Sequence, residues 1–368
     1  MRISVDASPL LLRSAGVKNY LYHWIRALQR TSPGNVVAPY PFIDNIGELT
    51  HESSVMSLLH TAPRIAWLLA SNRFALTRRL AAGNAQVFHV TNQVHEGLKG
   101  MALTATVHDM TCWLTPEFHT PANIQADARF AERILLKADG LIAVSENTRQ
   151  DAIRVLGLNP DKIVAIHSGV PESYFDVTAA DAERVRRRWK LDRPFILHIG
   201  TIEPRKNLDA LLDAYLLLPE SVREEVDLVF AGPMGWAAST TAKRILSGLP
   251  GVRYLGYVPE ADLPGLTKAS AVFAYPSLYE GFGFPVAQAM AAGVPVLTSN
   301  NSCLPEISGA GAVHVDPRSP AGIREGLDQL LTSPSRAAAV AAAGREKAQS
   351  YRWDVCAQRS WAFFEQFA

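Results

Sequence analysis

The sequence predicts an α/β protein of two domains, each a parallel sheet covered by helices. Three observations carry this. Short β-branched runs alternate with helix-compatible stretches along most of the chain, the rhythm of strand and crossover helix that puts strands in parallel. The chain has 368 residues, 48% of them hydrophobic and 19% charged, enough for two packed cores and too apolar for disorder. The alternation breaks once, around residues 171 to 194. There Pro171-Glu172-Ser173-Tyr174-Phe175 leads into a charged helix near Asp181 to Trp189 before a new strand starts at Phe195. That break predicts a hinge, with domains spanning 1–175 and 176–350 and a terminal helix in 351–368.

In order, strands are expected at Ile3 to Asp6, Thr104 to Val107, Gly140 to Val144, Ile163 to Ile166, Phe195 to Ile199, Val226 to Ala231, Ala271 to Tyr275 and Val294 to Leu297. The first is followed by Ser14-Ala15-Gly16-Val17-Lys18-Asn19-Tyr20 and an apolar helix to about Leu28. Ser145 is placed to cap a helix, and Ser319-Pro320 opens another with proline at its first position. Arg336 to Ala348 is alanine-rich and helical, because alanine loses no side-chain entropy. Tyr351 to Phe367, with Trp353, Trp361, Phe363 and Phe364, reads as a helix whose aromatic residues serve packing.

Composition narrows the partners. A net charge of +1 leaves no footprint for nucleic acid. Cys112, Cys303 and Cys356 are odd in number and far apart, which fits a reducing, cytoplasmic setting better than a disulfide framework. No apolar run is long enough to span a bilayer and none resembles a signal-peptide core. Arg64 to Leu80 mixes basic, aromatic and aliphatic residues. Two readings stand for it: an interfacial helix in peripheral membrane contact, and an ordinary amphipathic helix with a solvated arginine face.

Ligands of open parallel sheets bind beyond the carboxyl ends of the strands. Five candidate groups lie there. After Phe195 to Ile199 come Gly200, a polar loop, and Arg205-Lys206 at a helix start, a pattern suited to a diphosphate because orphan amides and cations both favour concentrated negative charge. After the first strand, Gly16 would allow close approach of backbone to a phosphate or sugar, or would simply make a turn. His108-Asp109 ends the strand Thr104 to Val107; the histidine could donate to a substrate hydroxyl, whereas adjacency alone does not make a relay with Asp109. After Ala271 to Tyr275, the stretch Glu280-Gly281-Phe282-Gly283-Phe284-Pro285 offers a carboxylate, main-chain amides beside glycines and the amino end of a helix that carries Gln288. A surface Glu and a solvated Gln would be the plain alternative. Ser302 and Glu306 lie in a polar loop after the strand Val294 to Leu297, while Cys303 reads as packing. The ten histidines and three cysteines show no zinc-like grouping, so no metal is expected.

Taken together, Gly16, His108-Asp109, Val144-Ser145, Ser168-Gly169-Val170, Gly200 to Asn207, Gly232-Pro233, Pro276 to Pro285 and Ser302 to Glu306 make the sequence resemble a family-4 retaining glycosyltransferase of the GT-B fold. The resemblance implies two facing Rossmann-like domains with a cleft between them. The first would lie on the acceptor side, the second would bind a nucleotide-sugar, and the C-terminal helix would return toward the first domain. It assigns Arg205 and Lys206 to the donor diphosphate, Glu280 to the transferred sugar, His108 to the sugar's C6 side, and Gly16 to phosphate. Phe282, Gly283 and Phe284 would supply loop backbone and shape. The family's second glutamate, a ribose ligand, is replaced by Gln288, an amide that can still bridge hydroxyls. The early loop also departs from the pattern, with Lys18 either adding a phosphate contact or pointing to solvent.

The implied reaction is metal-free transfer of a hexose, with GDP-mannose the favoured donor, to a glycan or lipid-linked oligosaccharide acceptor in surface polysaccharide synthesis. The implied location is the cytoplasm, peripheral to the inner face of the cytoplasmic membrane. A UDP- or dTDP-sugar donor is the alternative, and a non-hydrolysing nucleotide-sugar epimerase a more distant one.

Overall fold

The computed structural model describes residues 1–11, 16–41, 46, 58–91, 100–235 and 239–367. Its contacts divide the chain into two compact units, Met1–Gly169 with Arg352–Ala368, and Val170–Tyr351.

The first unit holds a six-stranded sheet of β1 (Arg2–Asp6), β2 (Val36–Tyr40), β3 (Val87–Val90), β4 (Ala102–Val107), β5 (Gly140–Ala143) and β6 (Ile163–Ala165). Their order is β2-β1-β3-β4-β5-β6 and every pairing is parallel. The second holds β7 (Phe195–Ile199), β8 (Asp227–Ala231), β9 (Val252–Gly256), β10 (Val272–Tyr275), β11 (Val296–Ser299) and β12 (Ala312–Val315). Here the order is β12-β11-β10-β7-β8-β9, again parallel throughout. In both sheets the order reverses beside the first strand of the unit, which is where such folds open a binding crevice at the strand ends.

Parallel sheets are covered on both faces, so central strands read as continuous apolar runs. The strands β7, β8, β10 and β11 follow that rule, and their side chains are buried apart from half-buried Ile199. Four strands lie outside the sequence expectation, and each has a reason. Pro39 breaks the pattern of β2, but β2 is an edge strand, where a missing N–H costs no ladder bond. Half-buried β9 and β12 are also edges, and β12 carries His314. Buried β3 is central yet contains His89, whose ring nitrogens lie 2.9 and 2.8 Å from the hydroxyls of Thr104 and Thr106 on β4. Those threonines make one face of β4 polar enough to accept an imidazole, while Leu103, Ala105 and Val107 face the apolar core.

Helix boundaries follow local chemistry. Ser145 caps Glu146–Leu156 by accepting from the Thr148 amide at 3.0 Å, and left-handed Gly157 ends it. Thr178 and Asp181 form a reciprocal capping box at the start of Ala179–Trp189. Ser319 accepts from the Gly322 amide ahead of Pro320–Thr332. The stretch from Arg64 to Leu80 is two helices rather than one, Leu58–Arg73 and Ala75–Ala82, separated by extended Phe74.

The helix Trp353–Phe364 packs on the helix Gly16–Thr31 within the first unit. Trp24 donates from its indole to Ser360 Oγ at 3.0 Å, and Trp361 donates to the Leu28 carbonyl at 3.1 Å. Buried indoles retain their hydrogen bonds this way, so aromatic packing fixes the register of the two helices. Among the described residues no helix is long and apolar enough to cross a membrane.

Candidate functional site

In the second unit the loops after β7, β10 and β11 are tied into one surface. The Leu278 amide donates to the Arg205 carbonyl at 2.9 Å, Ser299 Oγ to the Ser277 carbonyl at 2.7 Å, and Asn301 to the Leu278 carbonyl at 2.8 Å. Asn207 adopts a left-handed φ of 59°, which a short amide side chain tolerates. From there it donates to the Pro276 and Pro317 carbonyls at 3.0 and 2.6 Å. Arg205 and Lys206 therefore do not begin the helix. They sit in the 3-10 turn Pro204–Lys206, and the helix Leu208–Leu216 starts only after Asn207.

This knitting brings Glu280, Lys206 and Arg205 together. Lys206 Nζ donates to Glu280 Oε1 at 2.6 Å and to the Tyr275 hydroxyl at 2.7 Å. Ser277 Oγ and the Tyr275 hydroxyl donate to the same Oε1 at 2.6 and 3.1 Å, and Arg205 Nη1 lies 3.0 Å from it. Arg205 also donates to the Tyr279 carbonyl and to Glu203, at 2.6 and 2.7 Å. Burial alone would raise the Glu280 pKa; Arg205, Lys206 and the bonds from Lys206 and Ser277 overcome it and hold the carboxyl at about 2. Burial pulls the Lys206 pKa down, with Glu280 working against that. The acid is thus neither a surface Glu nor an isolated one. It is the hub of a buried ion cluster.

The remaining second-unit candidates shape the same surface. Gly232 faces Gly200, and a Cβ on Gly232 would come 2.1 Å from the Gly200 carbonyl oxygen, so the two backbones meet only without a side chain. Gly283, at φ 79°, precedes the helix Phe284–Ala291; a Cβ there would press on Leu304 at 2.8 Å. Phe282 packs edge-on against Phe284 and Tyr351. Gly281 is buried and Gln288 half-buried, one turn into the helix. Cys303 is buried and its thiol is pushed well up, by burial first, as suits a packing residue. Ser302 Oγ accepts from the Glu280 amide at 3.2 Å.

Gly16 and His108 belong to the first unit. Gly16 begins its helix with open space around it, while Ser14 and Ala15 fall outside the described residues. Tyr20, one turn on, meets the His108 ring edge-on at 5.0 Å, so His108 lies by the amino end of that helix. Burial lowers the His108 pKa to about 4, and its Nε2 is buried without a hydrogen-bond partner among the described residues. Asp109 accepts from the Thr111 amide at 2.9 Å and from its hydroxyl at 2.5 Å, and so braces the following turn. Lys18 does not point to solvent. It is 1% exposed.

The sequence alone assigns no role to Glu203, Tyr275, Ser277 or Asn207. Tyr275 and Ser277 stand at the carboxyl end of β10 in the same stretch as Glu280, which was the available signal. Glu203 and Asn207 become visible only when two loops meet. No group of His, Cys, Asp or Glu that could hold a metal ion occurs among the described residues.

Residues 14–174 match the profile described as Glycosyltransferase Family 4, and residues 180–347 match Glycosyl transferases group 1. The O-antigen chain mannosyltransferase B of Escherichia coli is 34% identical over 254 residues, covering 68% of this chain and 67% of that protein. The serotype-specific mannosyltransferase WbdA of Escherichia coli is 31% identical over 202 residues, 53% of this chain but only 25% of that protein. Among solved structures, Anabaena Alr3699/HepE in complex with UDP-glucose superposes with a TM-score of 0.74 at 18% identity and 99% coverage of both chains.

Proposed function

Because this chain belongs to the family-4 retaining glycosyltransferases of the GT-B fold, we propose that the Glu280, Lys206 and Arg205 cluster receives the diphosphate and sugar of a nucleotide-activated hexose. The observation that supports it most is the arrangement around Glu280 Oε1, where one carboxylate oxygen favours the charged form of buried Lys206 and aims both it and half-buried Arg205. Lys206 spends two of its three N–H bonds on Tyr275 and Glu280, so the third serves a phosphate oxygen. Glu280 Oε2 accepts from a sugar hydroxyl. Gly200, Gly281, Phe282, Gly283 and Phe284 form the donor-binding surface, with Gln288 directed to ribose. His108 and Gly16 serve the sugar and phosphate from the first domain.

Residues 1–175, with 351–368 returning to them, take the acceptor side and residues 176–350 the donor. In the reaction the bond between the sugar C1 and the diphosphate oxygen breaks, and the acceptor hydroxyl oxygen bonds C1 on the same face. Its proton passes to the departing diphosphate, whose growing charge Arg205 and Lys206 offset. Preorganised cations act best on charge that develops in the transition state.

Of the three donor classes to be tested, two have support of their own. A UDP-sugar follows the bound UDP-glucose of the Anabaena structure, which aligns with almost the whole chain. GDP-mannose follows the names of the Escherichia coli relatives, matched at higher identity. The acceptor is a glycan or a lipid-linked oligosaccharide.

Incubation with UDP-, dTDP- and GDP-sugars, read by thermal unfolding, identifies the donor, since saturation at a hundred times Kd stabilises by about 2.7 kcal/mol. Glu280→Ala and Lys206→Ala should each lower transfer at least roughly a hundredfold while the fold persists. Gln288→Glu should change nucleotide affinity. Full transfer by both alanine variants would remove the cluster from the site.

A further inference from the structure

Two carboxylates share the Arg205 guanidinium. Arg205 Nη2 donates to Glu203 Oε1 at 2.7 Å, while Nη1 donates to the Tyr279 carbonyl at 2.6 Å and lies 3.0 Å from Glu280 Oε1. Little of these side chains is exposed: 18% of Arg205, 15% of Glu203 and 10% of Glu280. A guanidinium beside a buried carboxylate ordinarily closes two parallel bonds, one to each oxygen. Arg205 presents only Nη1 to Glu280, because Nη2 is held by Glu203.

The consequence falls on the second oxygen of Glu280. The bonds that Lys206, Tyr275 and Ser277 donate to its carboxylate all end on Oε1. A forked Arg205 would take Oε2 as well. Glu203 is itself held in place, with an extended backbone (φ −143°, ψ 154°) ahead of the turn Pro204–Lys206. Its neighbour Ile202 is fully buried, donates its amide to the Pro233 carbonyl at 2.9 Å and accepts from the Gly235 amide at 3.0 Å. The Lys206 amide donates to the Glu203 carbonyl at 3.1 Å. The acid and both cations therefore leave one short loop that is stitched to the end of β8.

We propose that Glu203 is a positioning residue for sugar transfer: by holding Arg205 Nη2 it keeps the guanidinium from forking onto Glu280 and leaves Oε2 open to a hydroxyl of the donor's sugar. The inference rests on the proposed binding of a nucleotide-sugar at this cluster, and it separates the sugar from the diphosphate. Two acids and two bases leave Glu203, Arg205, Lys206 and Glu280 with no net charge. Loss of Glu203 makes the cluster positive, which favours a diphosphate, while the fork closes Oε2 to the sugar. A residue that only braced the loop would weaken both when removed.

Glu203→Ala is compared with the native chain in two ways. In crystals of the unliganded chains, Arg205 Nη2 should move in the variant to within about 3 Å of Glu280 Oε2. In titrations of UDP against UDP-glucose, and of GDP against GDP-mannose, the affinity for the nucleotide-sugar relative to the nucleoside diphosphate should fall about tenfold or more, while the diphosphate binds at least as tightly as before. Arg205→Lys, whose ammonium cannot fork, should abolish this effect of Glu203→Ala. A guanidinium that stays off Oε2, two affinities that fall together, or an effect that persists on the Arg205→Lys background overturns the proposal. If neither nucleotide pair binds the native chain, the crystal geometry decides. Full transfer by Glu280→Ala and Lys206→Ala removes the donor site and this proposal with it. Loss of transfer in those two, with an unchanged affinity ratio in Glu203→Ala, sinks this proposal alone.

Discussion

At the scale of single residues, Tyr275 is the one whose change separates chemistry from packing. Its hydroxyl accepts from Lys206 and donates to Glu280, and its ring stacks on His198 at 5.2 Å. The His198 Nδ1–H donates to the Ala274 carbonyl, 3.1 Å away, so this ring anchors the tyrosine to its strand. Tyr275→Phe keeps the stack and deletes only the bridge. Lys206 then loses an acceptor that favours its charged form, so its pKa falls further and the alkaline limb of the transfer profile should move to lower pH. The turnover loss should be roughly tenfold, the worth of a hydrogen bond to a charged group. A lower unfolding temperature with an unmoved alkaline limb would make Tyr275 a packing residue only. Glu280 and the two cations were legible in the sequence because they follow strands directly. Their mutual pairing was not, since Lys206 and Glu280 are 74 positions apart and meet only through loops that Asn207 and Ser277 hold together.

At the scale of elements, the strand and helix rhythm was legible wherever a strand is central and apolar, and it failed where chemistry on an edge or beside a buried histidine interrupts the pattern. The C-terminal helix shows the complementary case. Its aromatic residues announced packing, but their partners lie more than 300 positions earlier: Trp24 bonds Ser360 and Trp361 bonds Leu28. Phe364 packs against Trp24 and His89, at 6.0 and 5.4 Å between ring centres. Removing the helix would expose this cluster and take away the partners of the Trp24 indole N–H and the Leu28 carbonyl, bonds worth about 0.5–1.5 kcal/mol each before any apolar area is counted. A chain ending at Tyr351 should therefore lose amide-exchange protection in β1, β3 and β4 while β7, β8 and β10 keep theirs. Native protection throughout residues 1–169 in the shortened chain would show the helix to be an accessory.

At the scale of the whole molecule, the two units differ in what acid does to them. His89 and His108 in the first unit are held neutral, chiefly by burial, with pKa values of about 3 and about 4; in the second unit His198 is held at about 4, again chiefly by burial, and burial lowers the more exposed His314 by less. Each folded value lies below the 6.5 of a free imidazole, so the unfolded chain takes up protons first as pH falls. Stability present above pH 6.5 is then lost progressively toward pH 4, by about 3 kcal/mol for a histidine shifted to about 4. Glu280 adds its own loss only lower, between its ordinary 4.5 and about 2. Asp127 in the first unit, whose pKa burial raises, opposes the trend, but two histidines outweigh it in the window where carboxyls are still ionised. Acidification from pH 7 to 4 should therefore unfold the first unit ahead of the second. Five of the seven tryptophans, Trp24, Trp67, Trp113, Trp353 and Trp361, lie in the first unit, so intrinsic fluorescence reports mainly on it, and exchange of β7, β8 and β10 amides reports on the other. His108→Gln, which cannot take up the proton, should move the first transition to lower pH and leave the second in place. A single transition shared by both probes and unmoved by that substitution would mean that the buried imidazoles do not set the acid limit.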